Sequence, residues 1–108
     1  MIRKIALVAT LQLVLAPLAI AAGAAAGSSD LAGLKVAMDD RLKDAESARF
    51  KNVRIAKNGT TCGLVNAKNS YGAYAGFEPF LAMKLSSGKF YVVGLGEAAG
   101  QVCEKDGI

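Results

Sequence analysis

The sequence predicts an α+β domain, with an N-terminal amphipathic helix packed on an antiparallel meander of about four strands and closed by one disulfide. Three observations predict it. An apolar stripe at helical spacing fills the first part of the chain after residue 26, short β-branched and aromatic runs separated by turn residues fill the rest, and the chain carries two cysteines. Helical spacing followed by alternating spacing is the pattern of a helix and a sheet sharing one core.

The order of elements begins with a leader. Arg3 and Lys4 form a short positive start, an apolar run from Ile5 to Ile20 follows, and small residues from Ala21 to Gly27 end it. Ala22-Gly23-Ala24 and Ala24-Ala25-Ala26 both fit an A-x-A exit. That order of charge, apolar core and small residues describes a secretory signal peptide over residues 1–26, leaving residues 27–108 as one exported domain. The alternative is an uncleaved helix that anchors the same domain to the inner membrane. Counted to Ala26, the apolar stretch reaches about 20 residues, the length of a span. Gln12 and Pro17 interrupt it, however, and no cysteine follows it to accept a lipid.

Within the domain, Ser28, Ser29 and Asp30 suit a helix N-cap. Leu31, Leu34, Met38, Leu42 and Ala45 follow in steps of three and four, predicting a helix from about Asp30 to Ala48. Lys35, Asp39, Lys43 and Glu46 occupy its polar side, and Gly33 weakens its first turn by about 1 kcal/mol. Asp40 and Asp44 share a face, but two carboxylates are too few for a calcium site. Val53 and Ile55 then alternate with Arg54, Asn58-Gly59 marks a hairpin, and Thr60 to Asn66 reads as the returning strand. Asn58-Gly59-Thr60 also spells a glycosylation sequon, which the hairpin accounts for without a glycan. A third strand follows Pro79 through Phe80 to Leu85, Ser86-Ser87-Gly88 turns the chain, and Lys89 to Gly94 forms the fourth. The tail from Glu97 to Lys105 has weak helical character broken by Gly100, and its expected task is to return Cys103 to Cys62.

Those two cysteines have only one intramolecular pairing. It closes a loop of about 42 residues, for which chain entropy gives about 4 kcal/mol. A domain this small has a total stability of about 5–10 kcal/mol, so such a staple matters. The chain has no C-x-x-C pair and no histidine to activate a thiolate, which argues against a reactive or metal-binding thiol.

Charge excludes a further class. The whole chain has 13 basic and 9 acidic residues, and Arg3 and Lys4 leave with the leader, so the remainder carries a net +2. That field is too small to predict nucleic acid as a partner. Arg49, Lys51, Arg54 and Lys57 crowd one segment, but in a regular strand they split between two faces and read as solvated edge charges.

The absence of histidine also removes Ser-His and Cys-His nucleophiles and the usual zinc sites. No cofactor or metal site is expected. Gly94-Leu95-Gly96-Glu97-Ala98-Ala99 fits G-x-G-x-x-A, but the sequence after it holds neither the second strand nor the acid of a dinucleotide fold. A small hydrolase-type enzyme would be left with a Lys-activated serine or a carboxylate pair, which no spacing supports. A non-enzymatic binding or inhibitor module, working on an envelope or periplasmic protein partner, is the expected function. Its candidate recognition loop is Asn66, Lys68, Asn69, Tyr71 and Tyr74, where tyrosines offer contact area and amides adaptable hydrogen bonds. The competing expectation is an ordered loop whose amides satisfy its own backbone and whose tyrosines cover the core.

Two stretches carry a resemblance. Asp44-Ala45-Glu46-Ser47-Ala48-Arg49-Phe50 is similar to D-P-x-S-A-x-F, and Cys62-Gly63-Leu64-Val65-Asn66-Ala67-Lys68-Asn69 with Gly72-Ala73-Tyr74-Ala75-Gly76-Phe77 to C-G-x-V-N-A-K-N-x-x-G-G-Y-x-G-F. Together they resemble a group of small exported bacterial and prophage-associated proteins. Ala45 replaces the pattern's proline, and Ala73 its second glycine. The resemblance implies export and a shared fold; it carries no reaction, substrate or catalytic residue.

Overall fold

The structure is a computed structural model that describes residues 23–108. Most of the expected leader, residues 1–22, lies outside the described residues; its last four, Gly23 to Ala26, lie inside them. The elements run β1 (Ala24–Ala25), α1 (Ser28–Ala37), β2 (Arg49–Ile55), β3 (Thr60–Asn66), β4 (Glu78–Lys84), β5 (Phe90–Leu95) and α2 (Glu97–Lys105). The strands form one antiparallel sheet in chain order, β1 to β5. The α+β architecture is as expected, with five strands rather than four. The added strand is β1, in which Ala24 pairs with Ile55 and Ala25 with Arg54. Alanines that read as a leader's exit therefore pair in the sheet.

The first helix departs from expectation at both ends. Its N-cap is Gly27, whose N–H donates to the Asp30 carboxylate at 3.1 Å, so Asp30 acts from the first turn rather than as the cap. It ends at Ala37 and continues only as a 3₁₀ turn over Met38–Asp40, far short of Ala48. Arg41 explains the stop in part, because its guanidinium donates to the Val92 and Val93 carbonyls of β5 at 3.1 and 3.3 Å. A second 3₁₀ turn, Ala45–Ser47, then brings Ala45 and Ala48 into the core by another route.

One face of the sheet makes that core. Phe80, Leu34, Met38 and Val65 are almost wholly buried there, joined by Val53, Ala82, Phe90 and Val92. Phe50 meets Phe80 edge to face with centroids 5.8 Å apart. A Cβ at Gly63 would lie 2.9 Å from both Phe80 and Val53, so the absent side chain is what admits the ring. A Cβ at Gly33 would come within 3.3 Å of the Phe90 ring. Gly33 therefore gives the helix close contact with β5 in return for its low propensity.

Because side chains alternate, Cys62 and Pro79, neighbours of Gly63 and Phe80, face the other way. On that second face lies α2, against β4 and β5, with Cys103 bonded to Cys62 across a Cα separation of 6.0 Å. Gly100 does not break this helix. A Cβ there would sit 3.0 Å from Pro79, so glycine permits close packing.

Both hairpins use the same turn. In the first, Gly59 N–H donates to Ala56 O and Ala56 N–H to Thr60 O; in the second, Gly88 pairs with Leu85 and Leu85 with Lys89 in the same way. Gly59 and Gly88 have φ of 94° and 93°. This is a three-residue loop, a type I turn closed by a left-handed glycine. Only Gly59 takes positive φ, whereas the Asn-Gly reading expected it at both positions. Asn58 instead accepts from Thr60 N–H through its side chain, as Ser87 does from Lys89.

Candidate functional site

Strand β2 is not regular. Its register against β3 shifts between Lys51 and Arg54, and Asn52 adopts φ 51°, a conformation that asparagine tolerates better than most residues. The extra residue changes which side chains share a face. Arg49 lies opposite Asn66, Lys51 opposite Leu64 and Arg54 opposite Cys62, three alternate positions of β3. Directly opposed residues share a face. Arg49, Lys51 and Arg54 therefore all stand on the α2 side, and the expected split between faces is corrected by the bulge. Arg54 is engaged, donating to the Asn52 and Ile108 carbonyls. Arg49 and Lys51 are exposed beyond the end that α2 covers.

The β3–β4 connection, residues 67–77, folds over that end. Asn69 organises its tip: its side-chain oxygen accepts from Tyr71 N–H and Ala73 N–H at 2.8 and 3.2 Å. The Asn66 side chain accepts from Gly76 N–H at 3.1 Å. The Tyr74 hydroxyl donates to Ser47 O at 2.9 Å, while the Ser47 hydroxyl donates to Asp44 O and accepts from Lys68 N–H. The two stretches that carry the resemblance thus fold onto each other as one unit.

The five candidate residues separate into two groups. Asn66, Asn69 and Tyr74 hold the loop's own backbone and anchor it to Ser47. Lys68 and Tyr71 project from it, Tyr71 with 93% of its surface exposed. Alongside them stand three residues outside the expected set. The Arg49 guanidinium lies 3.9 Å above the Tyr74 ring, and the Lys51 ammonium 5.1 Å from the Phe77 ring, which is 43% exposed. Lys68 reaches the other contact of the Tyr74 ring, at 5.9 Å. Each such contact contributes about 0.5–1 kcal/mol at an exposed site. They orient three cations without neutralising them. Among the described residues the one ion pair is Lys84–Asp30, at 2.8 Å, joining the end of β4 to α1 and including no residue of this loop. Sequence spacing could have paired Arg49 with Lys51; nothing in it announced the bulge or the ring beneath each cation.

Other regions offer less chemistry. An open groove of about 930 Å³, bounded by Gly23, Ala24, Ile55, Asn58 and Ile108, lies along β1 and the first hairpin. Its lining mixes Gly23, Ala24 and Ala56 with the longer Ile55, Lys57, Asn58, Asp106 and Ile108, and it holds no aromatic ring. Among the described residues, no three acidic or cysteine side chains gather as metal ligands, and no helix is long and apolar enough to cross a membrane. Comparison with family models, curated proteins and solved structures finds no significant match to this chain.

Proposed function

We propose that the chain is a non-enzymatic exported binding module that grips an acidic surface of an envelope or periplasmic protein. The observation that carries this is the alignment of Arg49, Lys51 and Lys68 over the Tyr74 and Phe77 rings, beside the fully projecting Tyr71. Cations held in place by rings lose less freedom on binding, and an exposed tyrosine adds contact area at low entropic cost. The lack of histidine and the disulfide both suit such a module in an oxidising compartment. The resemblance to small exported bacterial proteins supports the same address.

The test separates contact from packing. Tyr71→Ala should abolish capture of the partner from envelope extract with an unchanged melting temperature. Tyr74→Phe should lower stability by about 1 kcal/mol, because the Ser47 carbonyl loses its donor. The pair Lys51→Glu and Lys68→Glu should abolish capture, and high salt should weaken it in the parent protein. Equal capture by the charge-reversed and parent proteins would remove the proposal.

A further inference from the structure

The pairing of Ala24 and Ala25 has a bearing on where the leader is cut. Cleavage after Ala26 would strip β1 from the sheet. Ala26 N–H donates to Val53 O at 3.1 Å, Ala26 is itself partly buried against the core, and Ala24 lies opposite Ile55. Ala56 N–H bonds to Thr60 on the β3 side, so the adjacent Ile55 N–H points toward β1. Without β1 this edge of β2 would be open, a row of unpaired groups that invites association with other chains. Gly23 belongs to the same contact. Its φ is 74°, and a Cβ there would fall 2.9 Å from Ile55 O. The approach of this residue to β2 thus demands glycine, a requirement set by the folded domain.

We propose that the leader is removed on the N-terminal side of β1, at the Ala21–Ala22 bond. Ala19-Ile20-Ala21 supplies an A-x-A exit there, with small residues at the two positions that a leader peptidase reads. Water adds across the amide, leaving a carboxylate on Ala21 and a new amino terminus on Ala22. The two later A-x-A triplets, Ala22-Gly23-Ala24 and Ala24-Ala25-Ala26, would be cut after Ala24 and after Ala26, so either cut removes part or all of β1 from the sheet. The mature protein thereby keeps the whole sheet: it begins at Ala22, and Gly23 and β1 follow.

Intact-mass and N-terminal analysis of the full-length chain, expressed in a Gram-negative bacterium and recovered from the periplasm, tests the assignment. The expected start is Ala22, or Gly23 if the cut slips by one residue. A start at Ala24 or later, or a mass that retains Met1, overturns it. A second measurement addresses the reason for the site. Chains beginning at Ala22 and at Gly27 are exported behind one unrelated leader and compared. The shorter should melt several degrees lower and exchange the Ile55 amide faster. Equal melting and equal exchange would mean that β1 contributes nothing to the domain, and the inference would fall.

Discussion

The two faces of the sheet are held by different physics. The first is an apolar core, in which α1 and the 3₁₀ turn after it contribute the fully buried Leu34 and Met38 against Phe80, Val65 and Val92. The second buries little. Only Ala99 and Cys103 of α2 are buried, and Val102 remains 41% exposed. A helix with so small a buried face is marginal alone. Covalent attachment through Cys103 and close approach at Gly100 replace the area it lacks. Burial and cross-linking are thus alternative ways for a short helix to dock.

The difference can be broken from either side. Phe80→Ala empties the first face and should cost about 3–5 kcal/mol, read as a fall in the denaturant midpoint with loss of cooperative unfolding throughout. Replacing Cys62 and Cys103 together with Ser should cost about 2–5 kcal/mol. Here hydrogen exchange should accelerate first in residues 97–105, while α1 keeps its protection. If α1 and α2 lose protection together, the faces are energetically one unit.

The smallest effect concerns how α1 begins. The Lys84 ammonium, donating to Asp30, and then the Gly27 N–H hold the Asp30 carboxyl below its ordinary value of 3.8. A depressed carboxyl contributes stability above its unfolded pKa and loses it as pH falls through the folded value. The pair is only part-buried, with the Lys84 side chain 36% exposed, and solvent screening holds the contribution to no more than about 1 kcal/mol. Asp30→Asn should therefore be less stable than the parent near neutral pH and match it in acid, by urea melts at several pH values. A gap that persists unchanged in acid would assign the loss to something other than this charge.

Legibility in the sequence followed local chemistry. Gly59 and Gly88 marked both turns, and the cysteine count specified the bond, because each is decided by residues acting within their own segment or by arithmetic. The end of α1 was hidden: Leu42 and Ala45 continue a helical stripe, yet Arg41 is drawn to β5 carbonyls across the fold. Strand β1 was hidden for a simpler reason, since alanine suits both a leader's exit and an edge strand. In the candidate loop, sequence named the residues but could not divide them. Asn69 and Tyr71 look equally available on paper, and only the folded backbone shows that one is spent on the turn.

The disulfide also sets how force would travel through the molecule. Cys62 lies near the start of β3 and Cys103 near the end of α2, so β3, β4, β5 and α2 fall almost entirely within one covalent ring. Tension applied between the two ends would cross that bond and bypass the strands it encloses. Only β1, α1 and β2 could be drawn out, peeled from the sheet while its other three strands stayed linked. The oxidised domain therefore has a mechanically extensible front half and an inextensible rear.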